Sequence, residues 1–310
     1  MIEIRNDLPL APFTTFKVGG TARKFVKVSN IEELQQALEY SRQEKLPIFI
    51  LAGGSNLIVS SKGFDGLVIK AEFSSQIISH YRIISGSGVT MAAIVSASIE
   101  SGLSGLEWAG GLPGSLGGAV RGNAGAFGGE IKDIVESVVS VDLLSGKTIA
   151  RNNRQCNFGY RTSIFKQKAG EIIVSVSLKL RQGDTIELKK IANSHITYRQ
   201  DKHPMDMPSA GSVFKNIPVE GLVDDVKEKY KSFIKTDPFP VIPVAKIIAD
   251  CGLAGRKIGG AQISEKHTNY IVNTGKTTPE DIVELIKEAR RVVRKKFGII
   301  LEIEQELVGF

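Results

Sequence analysis

The stretch GGLPGSLGGAVRGNAGAFGG, residues 110–129, is nine parts glycine in twenty and carries one charged side chain, Arg121. Glycine at that density gives up backbone entropy in return for positive φ and close approach of another molecule to the main chain. A flexible linker shares the glycine content but is usually padded with Ser, Glu or Lys. Here the filler is Leu, Ala, Val and Phe. The segment is therefore expected to be buried, with backbone N–H groups that need partners. Runs of oriented N–H groups make anion nests, and phosphate is their usual guest. The reading that follows is a loop holding the pyrophosphate of a large cofactor; the alternative is a tightly packed glycine turn with no ligand.

Three smaller glycine clusters precede it, at 19–20, 53–54 and 86–88. The compact apolar strand Ile48–Leu51 runs straight into AGGSN (52–56), which sets free N–H groups and two small polar side chains at a strand tip. Alone that is a weak signal, since turns use the same residues. The strand Tyr81–Ser85 likewise leads into GSGV (86–89) and then a helix of small residues, Met91–Gly102. Glycine clusters recurring at strand ends suggest several loops converging on one extended ligand. Neither GxGxxG with its downstream acid nor GxxxxGK[ST] is present. A dinucleotide held by many glycine loops of a mixed α+β domain points to flavin more than to a Rossmann-bound nicotinamide. Residues 1–155 contain only His80 and no cysteine, so the flavin is expected to be non-covalent.

A chain of 310 residues suggests two or so domains. It is 42% hydrophobic and 24% charged, ordinary for a soluble globular protein. No apolar run of about 18 residues and no signal pattern at MIEIRNDLPL occurs, so a cytoplasmic protein without membrane insertion is expected. Cys156 and Cys251 lack metal-site spacing, and His80, His195, His203 and His267 are scattered, so no metal is expected. The net charge of +7 suits nucleic acid or an acidic small molecule such as a nucleotide. The basic cluster Arg290–Lys296 sits on a helix pattern and no nucleic-acid module appears, so no nucleic-acid partner is expected. A monomer is.

In chain order, Thr14–Gly20 and Ala22–Lys27 read as strand, turn, strand. Asn30 caps a helix with Ile31, Leu34 and Leu38 on one face. Strands at Leu57–Val59 and Leu67–Ile69 flank a Gly63–Gly66 turn, and Val135–Leu144 and Glu171–Leu180 are strand-like. Arg181–Asp184 is a candidate boundary, with a helix over Ile186–Arg199. Arg161 follows Tyr160, and is either stacked on it at the surface or a buried guanidinium offering a bidentate grip on a carboxylate. Ser212, in SAGSVFKN (209–216), has neither a GxSxG context nor a suitably spaced His–Asp pair, which argues against a hydrolase nucleophile. A serine can still donate a proton if neighbours hold its hydroxyl, though most Gly-Ser turns are only turns. Glu220–Pro243, with Pro238, Pro240 and Pro243, reads as a polar excursion. Val244–Cys251 is helical, and Ile258–Asn273 holds turn, strand and a polar knot. Thr278-Pro279-Glu280-Asp281 starts a helix whose buried stripe is Ile282, Leu285, Ile286, Ala289 and Val293. A last strand, Ile299–Val308, carries Glu302, Glu304 and Glu306 on one face, a solvated face from which one could point into a site.

Taken together, TTFKVGG (14–20), LAGGSNLIVS (51–60), GSGV (86–89), LEWAGGLPGSLGGAVRGNAGAFGGE (106–130), YRTSIFK (160–166), SAGSVFKN (209–216), CGLAGRKIGGAQISEKHTNYIVN (251–273) and LEIEQELVG (301–309) resemble the bacterial UDP-N-acetylenolpyruvoylglucosamine reductase family, in the same order and over nearly the whole chain. The resemblance implies an α+β fold: an FAD-binding domain of the vanillyl-alcohol-oxidase/PCMH type over 1–185, in subdomains of about 1–70 and 71–185, then a smaller α+β substrate-binding domain over 186–310. It implies NADPH-dependent reduction of the enolpyruvyl ether of UDP-N-acetylglucosamine to UDP-N-acetylmuramate in peptidoglycan synthesis. Carried over by position, Ser212 protonates C2 after hydride reaches C3, and Arg161 and Glu304 stabilise the enolic intermediate. Gly53, Gly54, Ser55, Asn56, Gly114, Ser115, Gly118 and Asn123 fall to the flavin; Tyr160, Lys215 and Asn216 fall to the substrate. The chemistry suits the residue types: negative charge beside a carboxylate calls for a cation that is always protonated, and Glu304 near an enolate must be protonated or help through a hydrogen bond.

This chain departs from the pattern at Arg121-Gly122, where a bulky residue is expected, and at Gln305-Glu306, in place of Val-Arg or Val-Lys. Its 217–243 segment is longer than expected, and the shorter, type II subclass fits best. The rivals are another FAD oxidoreductase of the same fold, such as a sugar or alcohol oxidase, and a non-catalytic flavin or nucleotide binder. Arg161, Ser212 and Glu304, all present in order, argue against both.

Overall fold

The computed structural model describes residues 2–236 and 239–310; Pro238 of the proline-bearing segment lies outside them. The chain divides into two compact units, one of residues 2–8, 22–53 and 64–199, the other of 9–21, 54–63 and 200–310.

The two largest sheets of the first unit have four and five strands. In one, Thr21–Val28 and Ile48–Leu51 each run parallel to Phe64–Ala71 between them. Parallel neighbours need a crossover, and the helix Ile31–Gln43 follows the first strand. The Asn30 side chain caps it by accepting from Glu33 N at 2.8 Å. Leu34, Ala37 and Leu38 of that helix join Val26, Val28, Leu67 and Ile69 in one core. The other sheet is antiparallel, ordered Thr148–Asn152, Val135–Asp142, Glu171–Lys179, Arg82–Gly86, Gln76–Ser79. Its inner face meets a second core of Met91, Ile94, Leu106, Trp108, Leu116, Val120 and Phe165.

The second unit is built on the helix Pro279–Phe297, with Thr278 and Asp281 forming a reciprocal capping box and Gly298 closing it at φ 71°. Its stripe of Ile282, Leu285, Ile286, Ala289 and Val293 is buried with Phe16, Val18, Ile58, Val213 and Phe214, each large apolar side chain contributing about 1.5–3 kcal/mol. A three-stranded antiparallel sheet, Lys257–Ile258, Ala261–Ile263 and Ile271–Asn273, belongs to this unit. Glu306–Val308 pairs parallel to Leu57–Val59.

Several expectations are corrected. Thr14–Gly20 is turn, not strand, because Phe16 and Val18 are drawn into the second unit's core. Within 110–129 the residues Leu116–Gly122 form a helix, despite three glycines that disfavour it by about 1 kcal/mol each; Ser115 caps it and Leu116, Ala119 and Val120 are buried. The boundary does not fall at residue 185. Helix Thr185–Lys202 sends Leu188 and Ala192 into the first unit's core, so that unit runs to Arg199. The 217–243 segment is no mere excursion: its helix Asp224–Tyr230 buries Val226 and Tyr230 in the second core. The terminal strand is regular only over Glu306–Val308.

Candidate functional site

In the first unit, loops 52–53, 86–89 and 113–118 come together. A Cβ on Gly53 would lie 2.6 Å from the Cα of Gly114, so the two loops meet backbone to backbone. Lys70, which the sequence reading passed over, donates from Nζ to Ala52 O at 2.7 Å, and burial pulls its ammonium pKa down. The amide of Leu116 donates to Val89 O at 2.9 Å, that of Gly117 to Ser87 O at 2.8 Å and that of Gly118 to Ser115 Oγ at 3.4 Å.

Those three N–H groups are therefore not an anion nest, which corrects the simplest form of the phosphate reading. The two readings of the glycines divide by position. Gly117 is packing, since a Cβ there would sit 2.7 Å from Ser87 Cβ. Gly118 is exposed, and its Cβ would have nothing nearer than Ser115 Oγ at 3.6 Å.

Asn123 is fully buried, in a left-handed conformation at the helix end. It donates from Nδ2 to Gly159 O at 2.9 Å and to Glu130 Oε1 at 3.3 Å, while its Oδ1 accepts from Lys132 N at 3.1 Å. Its side chain is thus engaged by protein, tying the glycine stretch to the loop that carries Tyr160 and Arg161. Two more bonds do the same: Ser163 Oγ to Arg121 O at 2.7 Å and Arg161 Nη2 to Gly125 O at 2.8 Å. Arg161 is half-buried with φ 55°, and its guanidinium carbon lies 5.1 Å from the Tyr160 ring centre. The guanidinium is thus stacked on Tyr160 and lies between the surface and the buried alternatives.

In the second unit, Gly54 has φ 65°, and a Cβ would reach 1.9 Å from Phe13 O; Thr15 N donates to Gly54 O at 3.0 Å. Half-buried Ser55 follows it. Asn56 donates from Nδ2 to Glu304 O at 3.1 Å and accepts from Glu306 N at 3.0 Å. Ser212 lies in a segment held on both sides. On one, it bridges Tyr270, and Val213 N donates to Asn269 O at 2.8 Å. On the other, Glu304 N donates to Val213 O at 2.8 Å and Lys215 N to Glu302 O at 3.0 Å. Ser212, Asn56 and Glu304 are thereby brought onto neighbouring hydrogen-bonded segments.

Lys215 Nζ pairs with Glu302, and Asn216 Oδ1 accepts from Val244 N at 3.2 Å. Asn269 was missed. It is 3% exposed, and its amide both accepts from Phe214 N at 3.0 Å and donates to Phe214 O at 2.9 Å, standing in for a strand. The available signal was a cluster of polar residues, His267-Thr268-Asn269, directly before the apolar Tyr270-Ile271-Val272.

A flavin dinucleotide fits the first unit's loops. The backbone of Gly53 and of Gly118 is exposed, and Ser87 Oγ, in the loop against Gly117, is buried without a hydrogen-bond partner among the described residues. Among the described residues no group of three or more His, Cys, Asp or Glu could hold a metal ion, and no helix is long and apolar enough to cross a membrane.

The comparisons agree with this geometry. Residues 22–150 match the model of an FAD binding domain, and 203–308 match that of the UDP-N-acetylenolpyruvoylglucosamine reductase C-terminal domain. The chain is similar to UDP-N-acetylenolpyruvoylglucosamine reductases of Lachnoclostridium phytofermentans (36% identity over 307 residues, 97% of this chain and 91% of that one) and of Caldanaerobacter subterraneus (37% over 302 residues, 97% and 92%). The crystal structure of that reductase from Thermus caldophilus superposes with a TM-score of 0.78 at 29% identity, covering 99% of both chains. Fold and loops thus define an FAD-dependent oxidoreductase, with an FAD-binding domain followed by a smaller α+β domain. The chain belongs to the UDP-N-acetylenolpyruvoylglucosamine reductase family.

Proposed function

We propose that this chain reduces UDP-N-acetylglucosamine enolpyruvate to UDP-N-acetylmuramate with NADPH as the reductant, a step of peptidoglycan synthesis in the cytoplasm. Gly53, Gly54, Ser55, Asn56, Gly114, Ser115 and Gly118 would hold the FAD, with Asn123 acting from behind through its bonds to the Arg161 loop. FAD held there would supply hydride chemistry to C3 of the enolpyruvyl group. Ser212 then gives its proton to C2, and a weak acid suffices because the carbanion is strongly basic. Arg161, always protonated, offers a fixed fork to the carboxylate on which negative charge gathers. Glu304 would meet that charge as the neutral acid, the form in which a carboxyl donates a hydrogen bond. Tyr160 and Asn216 are assigned to the substrate, as is Lys215, whose ammonium would exchange Glu302 for a phosphate or sugar oxygen.

The observation that carries the reading is the placing of Ser212 and Glu304 on adjacent, hydrogen-bonded segments, with Glu304 N on Val213 O at 2.8 Å. The test is anaerobic. NADPH should bleach the flavin bands, and the enolpyruvyl sugar should restore them. Ser212→Ala should bleach normally and fail to recover. Recovery with oxygen but indifference to the sugar would instead indicate an oxidase of the same fold.

A further inference from the structure

The ladder beside Ser212 ends in a side chain. Phe214 bridges Ile303, Lys215 N reaches Glu302 O and Glu304 N reaches Val213 O, so the antiparallel register continued by one residue sets Gln305 opposite Ser212. At that point the Gln305 amide replaces the backbone. Its Nε2 donates to Ala210 O at 3.0 Å and to Gly211 O at 3.4 Å, the two carbonyls immediately before Ser212. Gly211 between them has φ 72°, the left-handed region that glycine enters freely and that has to be held against its other conformations.

Gln305 is 5% exposed, and its Oε1 is buried without a partner among the described residues. Such an oxygen is costly, and an apolar side chain of equal length would avoid the cost. What the amide provides, and a methylene chain cannot, is the grip on the two carbonyls. This is also the place where the chain carries Gln against the Val of the family pattern.

We propose that Gln305 is a positioning residue for Ser212: by fixing the peptide planes at Ala210 and Gly211 it sets the direction in which the serine hydroxyl is presented. The inference rests on the reading of Ser212 as proton donor. It adds no new chemistry to that step, in which the Ser212 O–H bond breaks as the C2–H bond forms.

The test uses the FAD-loaded full chain with Gln305→Met, which keeps side-chain length and removes the amide. Reduction by NADPH should stay within about twofold of the parent, as should the half-saturating concentration of the enolpyruvyl sugar, while the limiting rate of reoxidation by that sugar falls about tenfold or more. Combined with Ser212→Ala, it should slow the reaction no further than Ser212→Ala alone, since both act through one group. A Gln305→Met limiting rate within about twofold of the parent overturns the inference even if the protein melts earlier, because that is what a purely structural amide would do. If Ser212→Ala is slow and Gln305→Met is not, only this inference fails. If Ser212→Ala itself turns over at the parental rate, the proton-donor reading fails and takes the inference with it. Should Gln305→Met not load FAD, Gln305→Val, smaller and matching the family pattern, is held to the same criteria.

Discussion

Arg161 donates from Nη2 to the carbonyl of Gly125 at 2.8 Å, so the candidate catalytic cation is fastened to the glycine-rich stretch itself. That bond fixes the position and plane of its guanidinium. A lysine at 161 would keep the charge and lose both the tether and the planar geometry. Arg161→Lys is expected to lower kcat by about 100-fold, as the loss of a preorganised donor does elsewhere, with the ratio of flavin to protein unchanged. Steady-state kinetics on the purified variant checks this, and near-parental turnover would remove Arg161 from the mechanism.

Two glycines that look alike in sequence are expected to respond oppositely. A Cβ at Gly53 collides with the Gly114 backbone at 2.6 Å, so Gly53→Ala must move a loop and should lower the melting temperature of the FAD-free protein. At Gly118 the nearest atom is 3.6 Å away and the position is helical, so Gly118→Ala should hold or raise that melting temperature, alanine being favoured in a helix by about 1 kcal/mol. If Gly118 lies against FAD, the same variant will bind it more weakly. Calorimetric titration of the FAD-free protein decides the matter, and unaltered FAD affinity in Gly118→Ala would take that residue off the cofactor surface.

Much of this was legible because the relevant signals are local. Asn30 and Thr278 announce helices through cap chemistry, and Ile48–Leu51 announces a strand by its unbroken apolar run. The helix at Leu116–Gly122 was not legible, since its residues argue against helix and only burial of Leu116, Ala119 and Val120 makes it form. Strand Gln76–Ser79 is exposed throughout, so no buried face imprints an alternation on it. At the candidate site the glycine clusters and the motif residues could be named, whereas their supports could not. Lys70, Asn269 and Gln305 act by bonding backbone atoms far away in the chain. Such pairings have no period and no spacing to read.

The antiparallel sheet of the first unit contains an ion pair whose removal should be felt in stability rather than chemistry. Arg151 grips Glu171 with both terminal nitrogens, Nη2 to Oε1 at 2.7 Å, and Ser140 Oγ donates to the same carboxylate at 2.6 Å. The side chains are 16% and 10% exposed, so Glu171→Ala strands a guanidinium in poor solvent. A loss of about 3 kcal/mol is expected, read as a lower urea midpoint. A midpoint equal to the parent's would show that water reaches Arg151 freely.

Acid should weaken the second unit through His267. Its ring packs edge-on to His203 and Tyr270, and burial holds its pKa below the ordinary histidine value, with Lys235 adding to the depression. A base whose folded pKa is depressed binds fewer protons folded than unfolded. Its contribution is therefore complete above the unfolded value of about 6.5 and is lost as pH falls from there through the depressed value, by at most about 1.4 kcal/mol per pH unit. His267→Gln removes the titration, so the melting temperature of the variant should fall less between about pH 7.5 and 5.5 than that of the parent. Some slope should persist, because His195 is depressed too, by burial and then by Arg199. Identical slopes in parent and variant would mean that His267 takes up its proton in the folded state as readily as in the unfolded one.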